Sequence, residues 1–186
     1  MDLSDKQIKK IEEFTIDYYH SLDYLHGEEH LNRTIKLAEF ISKLEGGDSK
    51  IVRLGAFIHQ FHDHEEKLIK FLEEIKVNKK TIGKLISIVR YRPHRLGTPK
   101  SKIIEEKIIY DADALQVLGP FGTLRLFAER INKHNNLAKT VNEIKEVQEK
   151  FLKNLQTKTA RTLANDPHKM VNAFLNLFND ENRGKY

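Results

Sequence analysis

Residues 51–64 read Ile51-Val52-Arg53-Leu54-Gly55-Ala56-Phe57-Ile58-His59-Gln60-Phe61-His62-Asp63-His64, an apolar run that ends in a cluster of histidines. Asp48 stands ahead of it as a helix N-cap. Ile51, Val52, Leu54, Ala56, Phe57 and Ile58 are too dense for a helix with one wet face, so the segment is predicted to be a central, buried helix with polar chemistry at its C-terminal end. Outward from it, Ser4 with Gln7 forms a capping-box pattern opening a helix over about 4–20. Leu31, Ile35, Ala38, Ile41 and Leu44 repeat the helical period over about 28–45 and stop at Gly46-Gly47.

Downstream, helices are predicted at about 65–76, 79–91, 101–118, 120–134, 139–156, 158–165 and 167–179, the last opened by Asp166 as N-cap and Pro167 at the first helical position. Residues 92–100, RPHRLGTPK, read as a loop over a site. No segment alternates like a strand. The expectation is an all-α fold, one helical bundle of about eight to ten helices over residues 1–186. The stripe Phe174, Leu175, Leu177, Phe178 is expected to complete the core, with a homodimer face as its other reading.

Composition narrows the chemistry. The chain has 186 residues, 39% hydrophobic and 32% charged, which suits a globular domain. It has no cysteine, so disulfides, thiolate metal sites and cysteine nucleophiles are excluded, and any metal must be held by nitrogen and oxygen. Lys and Arg number 32 against 27 acids, a formal +5 that favours anionic ligands in general. The basic residues alternate with acids, and no nucleic-acid-binding motif is present, so nucleic acid is not the expected partner. No run reaches the roughly 18 apolar residues of a membrane span, and MDLSDKQIKK lacks the apolar core of a signal peptide, so the expected location is the cytoplasm with no membrane partner.

Of nine histidines, those in the 59–64 segment and the pair His26 and His30 carry the functional signal, because they cluster. On a continuing helix His59, His62 and Asp63 share a face while Phe61 turns to the core, and His26 and His30 stack one turn apart. Asp111-Ala112-Asp113 offers carboxylates from a third place in the chain. Imidazoles and carboxylates from separate segments suit a divalent ion: Mn, Mg, Fe, Co, Ni or Zn. The isolated His20, His134 and His168 are expected to be ordinary hydrogen-bonded residues.

Four stretches, HGEEHLNRTIKLAEF at 26–40, IVRLGAFIH at 51–59, IIYDADALQVLGPFGTLRLFAE at 108–129 and KTARTLANDPHKMVNAFLNLF at 158–178, resemble the HD superfamily of metal-dependent phosphohydrolases, specifically its small HD domain hydrolase branch. The resemblance runs almost end to end. It implies metal ligation by His30, by the 59–63 region and by Asp111. Arg33 and Asp113 match the family's arginine and its Asp-Ala-Asp segment. His94 roughly matches a histidine that relatives place before that segment.

The sequence departs from the family at one position. The register that aligns His59 puts Gln60 where the family has aspartate, and a neutral amide is a poorer ligand than a carboxylate. The favoured reading has His59 ligating, Asp63 at i+4 replacing the missing carboxylate, and His62 as a further ligand; the other register uses His62-Asp63 as the pair. The resemblance implies hydrolysis of a nucleotide or other small phosphate ester. Arg33, Asp63 and His94 are then the candidate catalytic groups, and His26, Arg33, Arg92 and Asp113 the candidate substrate contacts. The alternative is a catalytically degenerate HD-like module that binds a nucleotide or a protein partner.

Overall fold

In the computed structural model, which describes residues 3–97, 100–134 and 136–185 and leaves out the side chains of Leu96 and His134, Ser4 caps the first helix. Its side chain accepts from the Gln7 amide while Gln7 reaches back to the Ser4 N–H, so two backbone donors at the helix start are satisfied. The order that follows is α1 (Asp5–His20), α2 (Glu28–Glu45), α3 (Ser49–Ile58), α4 (Glu65–Glu74), α5 (Lys79–Arg90), α6 (Pro93–Leu96), α7 (Ile104–Ala114), α8 (Gly119–His134), α9 (Leu137–Asn154) and α10 (Lys158–Asn182). No strand occurs among the described residues. The architecture is all-α.

Helix α3 is the axis of the bundle. Asp48 caps it through the Lys50 and Ile51 amides, and seven of its ten residues are buried. It packs against α1, α2, α5 and α7. Each fully buried Ile, Leu or Phe there contributes roughly 1.5–3 kcal/mol by leaving water. Arg53 lies on the exposed side of α3, where its guanidinium bonds Glu12 of α1 at 2.7 Å and Glu39 of α2 at 2.9 Å, tying three helices at the surface.

Gly55 sets the spacing between α3 and α7. A Cβ added there would lie 2.9 Å from Ile109 Cγ1, closer than side chains pack, so the two helices approach because this residue has none. His59 and Asp113 each lie four residues further along, one helical turn beyond the contact.

Three local expectations are corrected. Residues 92–100 contain a helical turn, Pro93–Leu96, ended by Gly97 in the left-handed conformation at φ 60°; Thr98 and Pro99 of the expected loop lie outside the described residues. Asp166-Pro167 does not open a new helix, because α10 runs through it. Ala160, Ala164, Val171 and Leu175 keep one unbroken buried face across the proline, and that packing outweighs the single backbone hydrogen bond the proline forgoes. The stripe near the C-terminus divides: Leu175 is buried with Val171 and Val141, whereas Phe174 and Leu177 are 58% and 63% exposed.

Gly55→Ala is expected to destabilise the fold by about 1–3 kcal/mol through overpacking against Ile109. Urea unfolding of the two proteins measures it, and an unchanged midpoint would contradict the close-approach account.

Candidate metal centre and cavity

The fold brings the start of α2, the end of α3 and the last turn of α7 to one point. His30 is the third residue of α2 and 3% exposed, and His59 caps the C-terminus of α3. Their Nε2 atoms lie 3.0 Å apart. Asp113 Oδ1 is 3.4 Å from His30 Nε2 and 4.0 Å from His59 Nε2. These three residues form the one group among the described residues whose nitrogen and carboxylate donors all lie within 4.8 Å of one another. The Gln60 amide nitrogen completes the cluster, 3.0 Å from both Nε2 atoms.

A backbone contact decides which nitrogen the His59 ring presents. The Ala56 carbonyl accepts from His59 Nδ1 at 2.7 Å, so that nitrogen carries the proton and Nε2 presents its lone pair to the cluster. Gln116, from the turn after α7, donates to the His30 carbonyl at 3.3 Å and to Thr34, holding the first turn of α2 in place. Burial pushes the His30 imidazole down to about 3, with His59, Arg125 and His26 adding to the effect and Asp113 opposing it. His59 is lowered for the same first reason. Burial pushes the Asp113 carboxyl up, but His59, His30, Arg125 and His94 together outweigh it and hold it below the usual carboxylate range. Two neutral imidazoles and one ionised carboxylate fit the donor requirements of a divalent ion, with the Gln60 N–H groups turned toward them.

The cluster forms part of the wall of a cavity of about 370 Å³. Arg92, Arg95, Arg125, Arg130 and Lys150 supply cationic lining, and Tyr110, Phe151 and His94 an aromatic side. The His94 ring packs on Phe151 with centroids 4.3 Å apart. Burial lowers its pKa to about 4, partly countered by Asp113. The Arg92 guanidinium Nε and the His94 Nδ1 are buried without a hydrogen-bond partner. Arg130 is engaged with Glu129 and Glu143, and Arg125 donates to the Leu25 carbonyl.

Several sequence expectations are redistributed. Asp111 does not face the histidines. Its carboxylate is fully buried and accepts from Gln156 N at 2.8 Å, Thr157 N at 2.7 Å and Thr157 Oγ1 at 2.7 Å, anchoring the start of α10. Asp113, expected as a substrate contact, takes the place beside the histidines. Asp63 does not replace the carboxylate absent at Gln60. Helix α3 ends at Ile58 and the chain passes into a 3-10 turn over Phe61–Asp63, so the i+4 relation to His59 is lost and the Asp63 side chain is 79% exposed. The turn is pulled inward by Phe61, fully buried against Phe14 and Tyr18. His62 pairs with Asp63 at 3.2 Å and lines the cavity, but is not among the three converging side chains.

Arg33 is not in the cavity lining; its guanidinium lies over the Phe121 ring, 3.6 Å from the centroid. His26 is at the cavity edge, its Nδ1 bonded to Asp23 at 2.9 Å. Arg92 and His94 do line the cavity. His20 pairs with Glu28 at the surface and His168 with Asn172 in a part-buried contact; the His134 side chain lies outside the described residues. Arg125 and Gln116 were not anticipated. No local pattern marks them, since each acts across the fold on a residue about a hundred or more than eighty positions away.

The depressed imidazoles predict a pH dependence. In the ion-free protein His30 and His94 resist protonation until about 3 and about 4, while the unfolded chain takes up protons near the ordinary value of 6.5. The unfolded state binds more protons in that window, so stability falls as pH falls through it. Asp111, raised by burial to about 6, works in the opposite sense below that pH, as one group against several. Thermal unfolding midpoints should therefore drop on acidification from about 6.5 toward about 4, less steeply in His94→Gln than in the wild type. Equal slopes would remove His94 from the account.

No protein-family model matches the sequence, and no curated protein matches it. Solved structures do. A crystal structure of an HD-superfamily hydrolase from Bacillus thuringiensis is 24% identical, with a TM-score of 0.75 over 97% of this chain and 98% of that one. Lin1889 of Listeria innocua is 26% identical, with a TM-score of 0.75 over 95% and 97% of the two chains. Bacillus subtilis YpgQ, solved in complex with ADP, is 20% identical, with a TM-score of 0.72 over 91% and 97%. Among the described residues no helix is long and apolar enough to cross a membrane. Among the described residues, the helical bundle built around α3 has the HD-type fold of these solved structures, one of which is an HD-superfamily hydrolase.

Proposed function

We propose that the protein is a metal-dependent phosphohydrolase acting on a nucleotide or another small phosphate ester. The observation that carries this reading is the convergence of His30, His59 and Asp113 on the wall of a cavity lined by arginines. The Bacillus thuringiensis neighbour's designation as a hydrolase and the ADP bound to YpgQ support it.

His30, His59 and Asp113 would hold the ion. A divalent cation there supplies Lewis-acid polarisation of a phosphoryl oxygen. The chain's own residues do the rest. Arg125 and Arg92, half-buried in the cavity wall, would meet phosphate oxygens there, and the low-dielectric surroundings would strengthen those contacts. His94 stays neutral near pH 7, so it offers one N–H to an oxygen and adds no charge. Tyr110 and Phe151 exclude water from that side.

Gln60 favours a second reading, a module that binds a nucleotide without turnover, because the amide supplies no charge to the centre. Binding of ADP followed by calorimetry, with no phosphate released under any divalent ion, would select it.

The direct experiment measures metal content after purification without chelator, then screens phosphate release from nucleoside mono-, di- and triphosphates with added manganese, cobalt, nickel or magnesium. Asp113→Ala and His59→Ala should lose the ion and reduce turnover by roughly a hundredfold or more. Asp63→Ala should retain both. Metal occupancy that depends on Asp63 and not on Asp113 would reverse the assignment.

A further inference from the structure

Gln60 brings an amide, where a carboxylate would add charge, to the point where His30, His59 and Asp113 meet. Its amide nitrogen lies 3.0 Å from each Nε2. Neither neighbouring acid makes up the missing charge, since Asp63 is at the surface and Asp111 is committed to Gln156 and Thr157. The groups that can donate to a cation are thus two imidazole nitrogens and a single carboxylate, with an amide N–H face beside them.

We propose that Gln60 sets the metal selectivity of this centre, biasing it toward ions that favour imidazole nitrogen, such as cobalt, nickel and zinc, and against magnesium and manganese. The proposal rests on the metal-binding part of the function above. Magnesium and manganese draw their affinity from anionic oxygen, and this centre offers one such ligand. The later ions draw on the two imidazoles and lose less when a carboxylate is replaced by an amide. Any nitrogen and oxygen site binds cobalt more tightly than manganese, so the order alone carries no information. The information lies in how far the amide widens the gap.

A separate effect acts on all ions alike. His59 Nε2 presents a lone pair, because its Nδ1 proton is held by the Ala56 carbonyl. The Gln60 N–H groups point at that lone pair and at His30 Nε2, so they stand where a cation would draw on the same electrons. Any ion must displace these hydrogen bonds, which lowers absolute affinity without altering preference.

The test uses the full chain stripped of metal, as wild type, Gln60→Asp and Gln60→Ala, titrated calorimetrically with cobalt, nickel, manganese and magnesium. Gln60→Asp should tighten manganese on the order of tenfold and cobalt by clearly less, narrowing the ratio of their Kd values. Gln60→Ala should tighten all ions by similar factors or leave them unchanged, with the ratio kept. The visible spectrum of the cobalt-loaded protein should change in Gln60→Asp, reporting a new oxygen ligand. A cobalt-to-manganese ratio identical in wild type and Gln60→Asp overturns the proposal while leaving the metal centre intact. No binding of any ion to any of the three proteins overturns the centre and the proposal together. A narrowed ratio in a protein that releases no phosphate from any ester upholds the selectivity and removes the hydrolase reading alone.

Discussion

The close packing of α3 on α7 at Gly55 is the constraint from which the site follows. Because a single missing Cβ lets Ile109 reach the α3 backbone, the residues one turn further along the two helices, His59 and Asp113, are held 4.0 Å apart. α2 then lies across both, and its first turn delivers His30 to the same point, fixed by the bond from Gln116 to the His30 carbonyl. His30 and Asp113 sit on α2 and α7 and His59 caps α3, three helices that pack on one another in the core.

That same burial tunes the chemistry. Imidazoles removed from water resist protonation, and a carboxylate among them and near Arg125 stays ionised despite its own desolvation. Neutral nitrogen and anionic oxygen are the protonation states a cation requires. The cost of gathering such polar groups in the interior is offset by the apolar surface of α3, by the Ala56 carbonyl that satisfies His59, and by the surface clamp of Arg53 on Glu12 and Glu39. The cationic residues of the cavity wall extend the site from the three converging side chains to a positively charged surface.

Much of the fold is legible in the chain because helix periodicity and caps are local. Ser4 with Gln7, Asp48, and the glycines after Glu45 mark boundaries that the structure keeps within a residue or two. Local signals mislead where a distant contact overrides them. Asp166-Pro167 has the form of a helix start, yet a buried face that continues from Ala164 to Val171 carries α10 through it. The helical relation between His59 and Asp63 fails because Phe61 is drawn into the aromatic cluster of Phe14 and Tyr18, turning the backbone into a tighter helix.

The amino-acid sequence by itself determined an all-helical bundle and named the segments that supply ligands, since hydrophobic period, absence of cysteine and clustering of histidine are properties of the chain alone. It offered Asp111 and Asp113 on equal terms, with the resemblance favouring the first. Tertiary structure decided between them. Two residues apart on a helix, their side chains diverge by about 200°, so only one can face His30 and His59. The other is claimed by the amides at the start of α10, a partner some 45 residues away that no local pattern in α7 reveals.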